Sequence, residues 1–158
     1  MIMIVVKGGS QSQKKHAESI AEFCIQKLMP RIKNLDVVIK LKDLTKSNAY
    51  GFCLAIEEDG KPADRPRLFE LEVHKNMPLR KVLETVAHEM VHVKQYARGE
   101  LYYSTRVAKN RWQGKWVSNK LDYWDCPWEI EAHGRECGLF VQWAEKNNLG
   151  SKKWTWDD

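Results

Sequence analysis

Between Pro78 and Gly99 the chain carries a helical pattern with two chemically different faces. Pro78 suits a first helical turn, where its missing N–H is not needed, and Gly99 supplies a stop. Leu79, Leu83, Val86, Met90, Val93 and Ala97 recur at helical spacing and form one apolar stripe. His88 and His92 fall on the opposite side. Four residues apart means about 40° apart around the axis, so both imidazoles can reach one point in space. Glu89 stands beside them. A fold built on this helix must bury the stripe and still leave a cleft over the histidines.

His88-Glu89-Met90-Val91-His92 has the form H-E-x-x-H, in which the imidazoles hold zinc and the glutamate takes a proton from water activated by the ion. A histidine pair that only filled space would belong on the stripe. Catalytic zinc commonly takes three protein ligands, so a third is sought elsewhere. Residues 126–136 offer Cys126, Glu129, Glu131, His133 and Glu136. On a helix beginning near Pro127, Glu129, His133 and Glu136 share the side of Ala132, Phe140, Trp143 and Ala144. Glu131 turns roughly 200° away, toward Arg135, Gln142 and Glu145. An inward carboxylate needs a partner, because burying it alone is costly. A metal or an arginine would answer it. Glu129 is therefore the candidate third ligand, and Glu131 is expected to face solvent. His133 is either a hydrogen-bond partner of a ligating imidazole or an alternative ligand. Cys126 reads as incidental, and His16 and His74 as surface residues.

The rest of the sequence reads as α+β. Residues 12–29 form a helix capped by Ser12, with Ala17, Ile20, Ala21, Cys24, Ile25 and Leu28 as its stripe. Three strands are expected at 36–44, 50–57 and 67–74, where residue type alternates, and turn chemistry fills 58–62. In the second, Tyr50, Phe52, Leu54 and Ile56 share one face and small Gly51, Cys53 and Ala55 the other. Residues 1–7 read as a possible extra strand, and Gly8-Gly9-Ser10-Gln11, without a P-loop ending, as a turn. A long loop then leads to a helix at 128–147. The expected architecture is an N-terminal helix, a three-stranded mainly antiparallel sheet, the histidine helix, the loop and a C-terminal helix. No repeat or linker divides the chain, so residues 1–158 are expected to form one domain.

Composition narrows the function classes. Hydrophobic residues make up 43% and charged residues 30%, which disfavours disordered and fibrous classes. No apolar run reaches the roughly 18 residues of a membrane span. The apolar start at residues 1–6 is short for a signal peptide and follows no basic segment, so a cytoplasmic location is expected. The four cysteines form no C-x-x-C pair, which disfavours a zinc ribbon or disulfide scaffold. The net charge of +5 coincides with residues 98–120, where Arg98, Arg106, Lys109, Arg111, Lys115 and Lys120 face one acid, Glu100. Tyr102, Tyr103, Trp112, Trp116, Tyr123, Trp124 and Trp128 are interleaved with or follow them, and residues 111–117 suggest a hairpin turning at Gly114. Arg106, Lys109, Arg111, Trp112, Lys115 and Trp116 could contact nucleic acid by stacking and phosphate pairing. The favoured reading is that the rings anchor the loop against the cleft while the charges are solvated.

The motif and the order of elements resemble the zincin metallopeptidases in their smallest form, closest to the gluzincin branch, whose compact members are called minigluzincins. There the third ligand heads an E-x-x-x-D or E-x-x-A-D/N segment. Glu129-Ile130-Glu131-Ala132-His133 is similar, with His133 where an acid or amide usually stands. The H-E-M-x-H core and basic character also resemble the SprT-like group, which takes a third histidine closer to the motif and often carries a zinc ribbon. The resemblance implies a zinc metallopeptidase with one Zn2+ per chain on His88, His92 and Glu129, Glu89 as general base, and peptide or protein substrates. It also implies that the 67–74 strand lies at the cleft edge and pairs with an extended peptide. Tyr96 and Tyr123 are candidates to stabilise the developing oxyanion. The alternative is a nucleic-acid-associated module working through residues 98–120, with a regulatory or degenerate zinc site; a purely structural zinc domain is a third reading. Membrane partners are not expected, and the sequence does not indicate an oligomeric state.

Overall fold

The computed structural model describes residues 1–56 and 64–156, so the turn expected at 58–62 lies outside the described residues. The fold is α+β, with three α-helices and two sheets among the described residues. The chain begins with strand β1 (Ile2–Gly8), followed by helix α1 (Gln11–Leu28) and strand β2 (Leu35–Lys42). Strands β3 (Gly51–Ala55) and β4 (Leu68–His74) lead into helix α2 (Leu79–Ala97). Then come β5 (Leu101–Ser104), β6 (Lys109–Trp112), β7 (Lys115–Trp116) and helix α3 (Pro127–Lys146).

The main sheet has four strands in the order β1-β2-β4-β3, so the N-terminal strand joins the three expected ones. Its pairing corrects the mainly antiparallel expectation. β1 with β2 and β2 with β4 are parallel, and only β3 with β4 is antiparallel. The cause is the connections: α1 carries the chain back to the starting end before β2, which makes β1 and β2 parallel. The antiparallel three-stranded sheet lies elsewhere, as β5-β6-β7 within the expected long loop, and its β6–β7 pair is the hairpin expected to turn at Gly114. Gln113 and Gly114, both at positive φ (47° and 83°), make the tight β6–β7 turn.

The core forms between the sheet and the helices. Val37, Ile39, Leu41, Phe69, Leu71 and Val73 point into it, and all six expected α1 stripe residues are buried. The start of α1 differs from expectation. Ser10, not Ser12, is the cap: its hydroxyl accepts from the Gln13 N–H, and the Gln13 side chain accepts from the Ser10 N–H. α2 is the central element, in contact with β3, β4, α1 and α3. Leu83, Val86, Met90, Val93 and Ala97 are buried as expected, while Leu79 is half-buried. The opposite side is buried too, because α3 packs over it.

In β3 the small face turns inward and Tyr50, Phe52, Leu54 and Ile56 are exposed. A Cβ added at Gly51 would lie 2.9 Å from Glu89 Oε1 and 3.0 Å from Thr85 Cγ2. α2 thus crosses so close to β3 that its inner face has room only for small side chains.

Loss of the Ser10 cap should be measurable. Ser10→Ala is expected to cost about 1 kcal/mol in chemical denaturation and Ser12→Ala only a few tenths; equal losses would contradict the assignment.

Candidate metal centre

α3 begins at Pro127, so Glu129 is helical and points toward α2 from its first turn. Its carboxylate is buried between the two imidazoles. Glu129 Oε1 lies 3.0 Å from His92 Nε2, and Oε2 lies 3.3 Å from His88 Nε2. All three residues are buried and their donor atoms form a group that could hold a metal ion. The fit is geometric. Tetrahedral ligands roughly 2.0–2.1 Å from one ion are about 3.3 Å from each other. A second group, His88 with His133 and Glu136, uses the other face of the same imidazole and is less buried. The first group is the stronger candidate, because with both Nε2 atoms turned inward each Nδ1 is left for a protein partner.

Those partners are present. His88 Nδ1 lies 2.9 Å from Glu136 Oε2, and His92 Nδ1 lies 2.8 Å from Gln95 Oε1. The Gln95 amide nitrogen donates to Glu131 Oε1 and to the Trp128 carbonyl, both at 2.9 Å. Its nitrogen being so engaged, Gln95 offers His92 only its oxygen, so Nδ1 carries a hydrogen and Nε2 is the nitrogen left to face the site. Glu131 also takes buried Lys94 at 2.5 Å and Arg135 at 2.9 Å. This corrects the solvent-facing expectation for Glu131: one turn of a helix wheel ignores the neighbouring helix, and Lys94 and Gln95 of α2 lie across from it. Gln95 carries no signal in the sequence, and Glu136 is only one of the ligand candidates that residues 126–136 offer. Glu136 had one signal, its place on the inward side of the wheel with Glu129.

The carboxylates and imidazoles tune one another. Burial pulls His88 down, but hydrogen bonds to Glu129 and Glu136 outweigh it and push the imidazole up to about 9. Burial is again opposed for His92, where Glu129 is the main partner and the net direction is up. Glu129 is the mirror case: burial raises it, yet His88, His92 and Tyr123 hold it well below the carboxylate range. Glu89 differs. Burial pushes its carboxyl up to about 7 against the pull of His92 and His88. It lines the cleft and, among the described residues, makes no hydrogen bond or ion pair.

A cleft of about 800 Å³ opens over these residues, lined also by Gly51, Cys53, Tyr96, Tyr123, Trp124 and Trp128. The Tyr123 hydroxyl donates to Glu129 Oε2 at 2.7 Å and lies 3.1 Å from His133 Nε2. His133 is thus a rim residue outside the first group, its ring 4.5 Å from that of His88 and 4.8 Å from that of Trp124. Tyr96 lines the wall, its hydroxyl pushed up to about 12 chiefly by burial. Cys126 stays outside the group, its thiol 3.4 Å from the Asp122 carbonyl. His16 is half-buried against Trp143 and Trp154, and His74 accepts from the Leu44 N–H; neither is simply exposed.

The basic aromatic residues divide between two roles. Trp112 packs against Trp128 beside the cleft, with ring centroids 6.3 Å apart. Arg111 lies across from Tyr102 and Trp116 in one row of the small sheet, 4.7 and 5.8 Å from their rings. Arg106, Lys109, Lys115 and Trp116 are exposed. No helix of the described residues is long and apolar enough to cross a membrane. No protein-family model, curated protein or solved structure matches the chain.

Two outcomes test this centre. Glu129→Ala should abolish tight metal binding, whereas Glu131→Ala, which frees Gln95, should weaken it about 10–100-fold; an unchanged affinity in Glu131→Ala would remove the Gln95 link. Because His88 is raised, the metal-free protein holds its proton near neutrality, and metal uptake must displace it. Calorimetry in buffers of different ionisation enthalpy at about pH 7 should therefore record proton release, with affinity rising as pH approaches about 9. Uptake without proton release would contradict the protonated state.

Proposed function

We propose that the chain is a zinc-dependent metallopeptidase of the zincin type, with His88, His92 and Glu129 holding the ion. The observation that carries the reading is the convergence of these three donors beside an unengaged carboxyl, Glu89, in the cleft. Two imidazoles and a carboxylate are a donor set of catalytic zinc. A zinc ion held there would polarise a substrate carbonyl and acidify water.

The protein's own groups supply the rest. Glu89, with a carboxyl near 7 that a neighbouring cation would lower, accepts the proton of the attacking water and returns it to the departing amine nitrogen. The Tyr123 hydroxyl is the O–H donor nearest the ligand set and is assigned to the oxygen that gains charge. Strand β4, expected at the cleft edge, lies between β2 and β3 and is paired on both sides. The edge is β3. Tyr50 and Ile56 exchange hydrogen bonds with β4, so by alternation Gly51, Cys53 and Ala55 turn their N–H and C=O groups to the open side above Glu89. An extended peptide can pair there.

A second reading rests on the Tyr102–Arg111–Trp116 row, whose exposed ring and neighbouring Lys109 suit a single-stranded nucleic acid.

The deciding experiment is Glu89→Gln. It should keep zinc at one per chain and abolish cleavage of a denatured protein or peptide mixture that the zinc-loaded wild type cuts. Unchanged cleavage would remove Glu89 as the base. Salt-dependent oligonucleotide binding that persists without metal, with no peptide cut by the loaded wild type, would favour the second reading.

A further inference from the structure

The cleft is electrically lopsided. Glu89, Glu129 and Glu136 gather around the histidines, while Lys81 is the one lysine or arginine among its described lining residues. Lys81 shares the cleft side of α2 with Thr85 and His88, seven residues before the first histidine. Seven residues are roughly 10 Å of helix, or about three residues of extended peptide. Its ammonium sits 5.1 Å from the centroid of the Tyr50 ring, at the start of the open edge strand. Glu84, three residues on from Lys81, is engaged with Arg80. An aromatic face holds a cation in place without neutralising it, so the charge stays available to a ligand.

The edge strand sets a direction. Tyr50 meets Lys81, and the next residue, Gly51, meets Thr85 and Glu89, so β3 runs from the Lys81 end toward the metal centre. A peptide pairing antiparallel with β3 would run the other way and bring its C-terminal part to Lys81.

We propose that Lys81, resting on Tyr50, is a carboxylate subsite that makes the chain favour peptides with an acidic side chain or a free C-terminus about three residues beyond the reacting bond. This rests on the peptidase reading, and the test separates the two. The probes are acetylated decapeptides in which Glu or Gln is placed in turn at each position, each made with a free or an amidated C-terminus. Binding is measured on zinc-loaded Glu89→Gln, which holds peptides uncut, and cleavage positions are read by mass spectrometry on the zinc-loaded wild type.

Glu should bind about 3- to 10-fold tighter than Gln at one position on the C-terminal side. A free C-terminus at that distance should replace Glu if the terminal carboxylate is the natural source; if only the side chain gives the gain, an internal acid is. Adding Lys81→Met should erase the Glu-over-Gln difference, and Lys81→Glu should invert it in favour of Gln. No carboxylate preference at any position, or one that survives Lys81→Met, would overturn the subsite. Peptides that bind with the preference but are never cut by the wild type would overturn the peptidase reading and leave the subsite standing.

Discussion

A carboxylate from the first turn of α3 meets two imidazoles from the middle of α2, and most of the surrounding architecture serves that meeting. Glu129 would be an expensive group to bury alone. Its oxygens instead lie 3.0 and 3.3 Å from the two imidazole nitrogens, and Tyr123 donates a third contact. For these atoms to converge, α3 must pack over α2, and the turn holding Tyr123 must fold back across its own helix start. Pro127 fixes where that helix begins, and with it the direction of Glu129.

The arrangement also explains why the polar groups behind the histidines are so numerous. Each imidazole can present only one nitrogen to an ion, and the other must be satisfied in a dry interior. His88 uses a carboxylate from α3, whereas His92 uses an amide from its own helix that Glu131 holds in turn. Lys94, buried next to Gln95, completes the second arm by pairing with Glu131 and Glu100. Buried ion pairs of this kind add little net stability against an apolar core but strongly penalise a wrong arrangement. Their value here is positional. The lowered Glu129, Glu131 and Glu136 carboxyls add stability above their ordinary range that is lost as pH falls through their folded values, so the metal-free centre is acid-sensitive.

Much of this was legible in the sequence, and the parts that were not share a cause. The α1 stripe, the strand positions and the inward turn of Glu129 follow from periodicity within one segment, where burial repeats at a fixed interval. Pairing does not: the same alternation in β2 and β4 serves a parallel or an antiparallel neighbour, so the mixed sheet was hidden. In residues 101–116 the β6–β7 hairpin is signalled by Gly114, whereas β5 is a short strand of polar and aromatic type that reads as loop. Glu131 reads as solvent-facing in the sequence because its partners, Lys94 and Gln95, lie on another helix. In the sequence Gly51 reads only as part of a small face, although the approach of Glu89 to within 2.9 Å of its missing Cβ governs how near the edge strand comes to the centre.

The proposed centre would place one zinc ion on His88, His92 and Glu129. X-ray absorption at the zinc edge, on protein purified without chelator and loaded to one equivalent, addresses it most directly. Two imidazoles and oxygen donors at about 2.0–2.1 Å are expected, with one imidazole contribution lost in His92→Ala and an oxygen contribution lost in Glu129→Ala. A sulfur shell near 2.3 Å, a spectrum unaltered by Glu129→Ala, or a protein that takes up no zinc would contradict it.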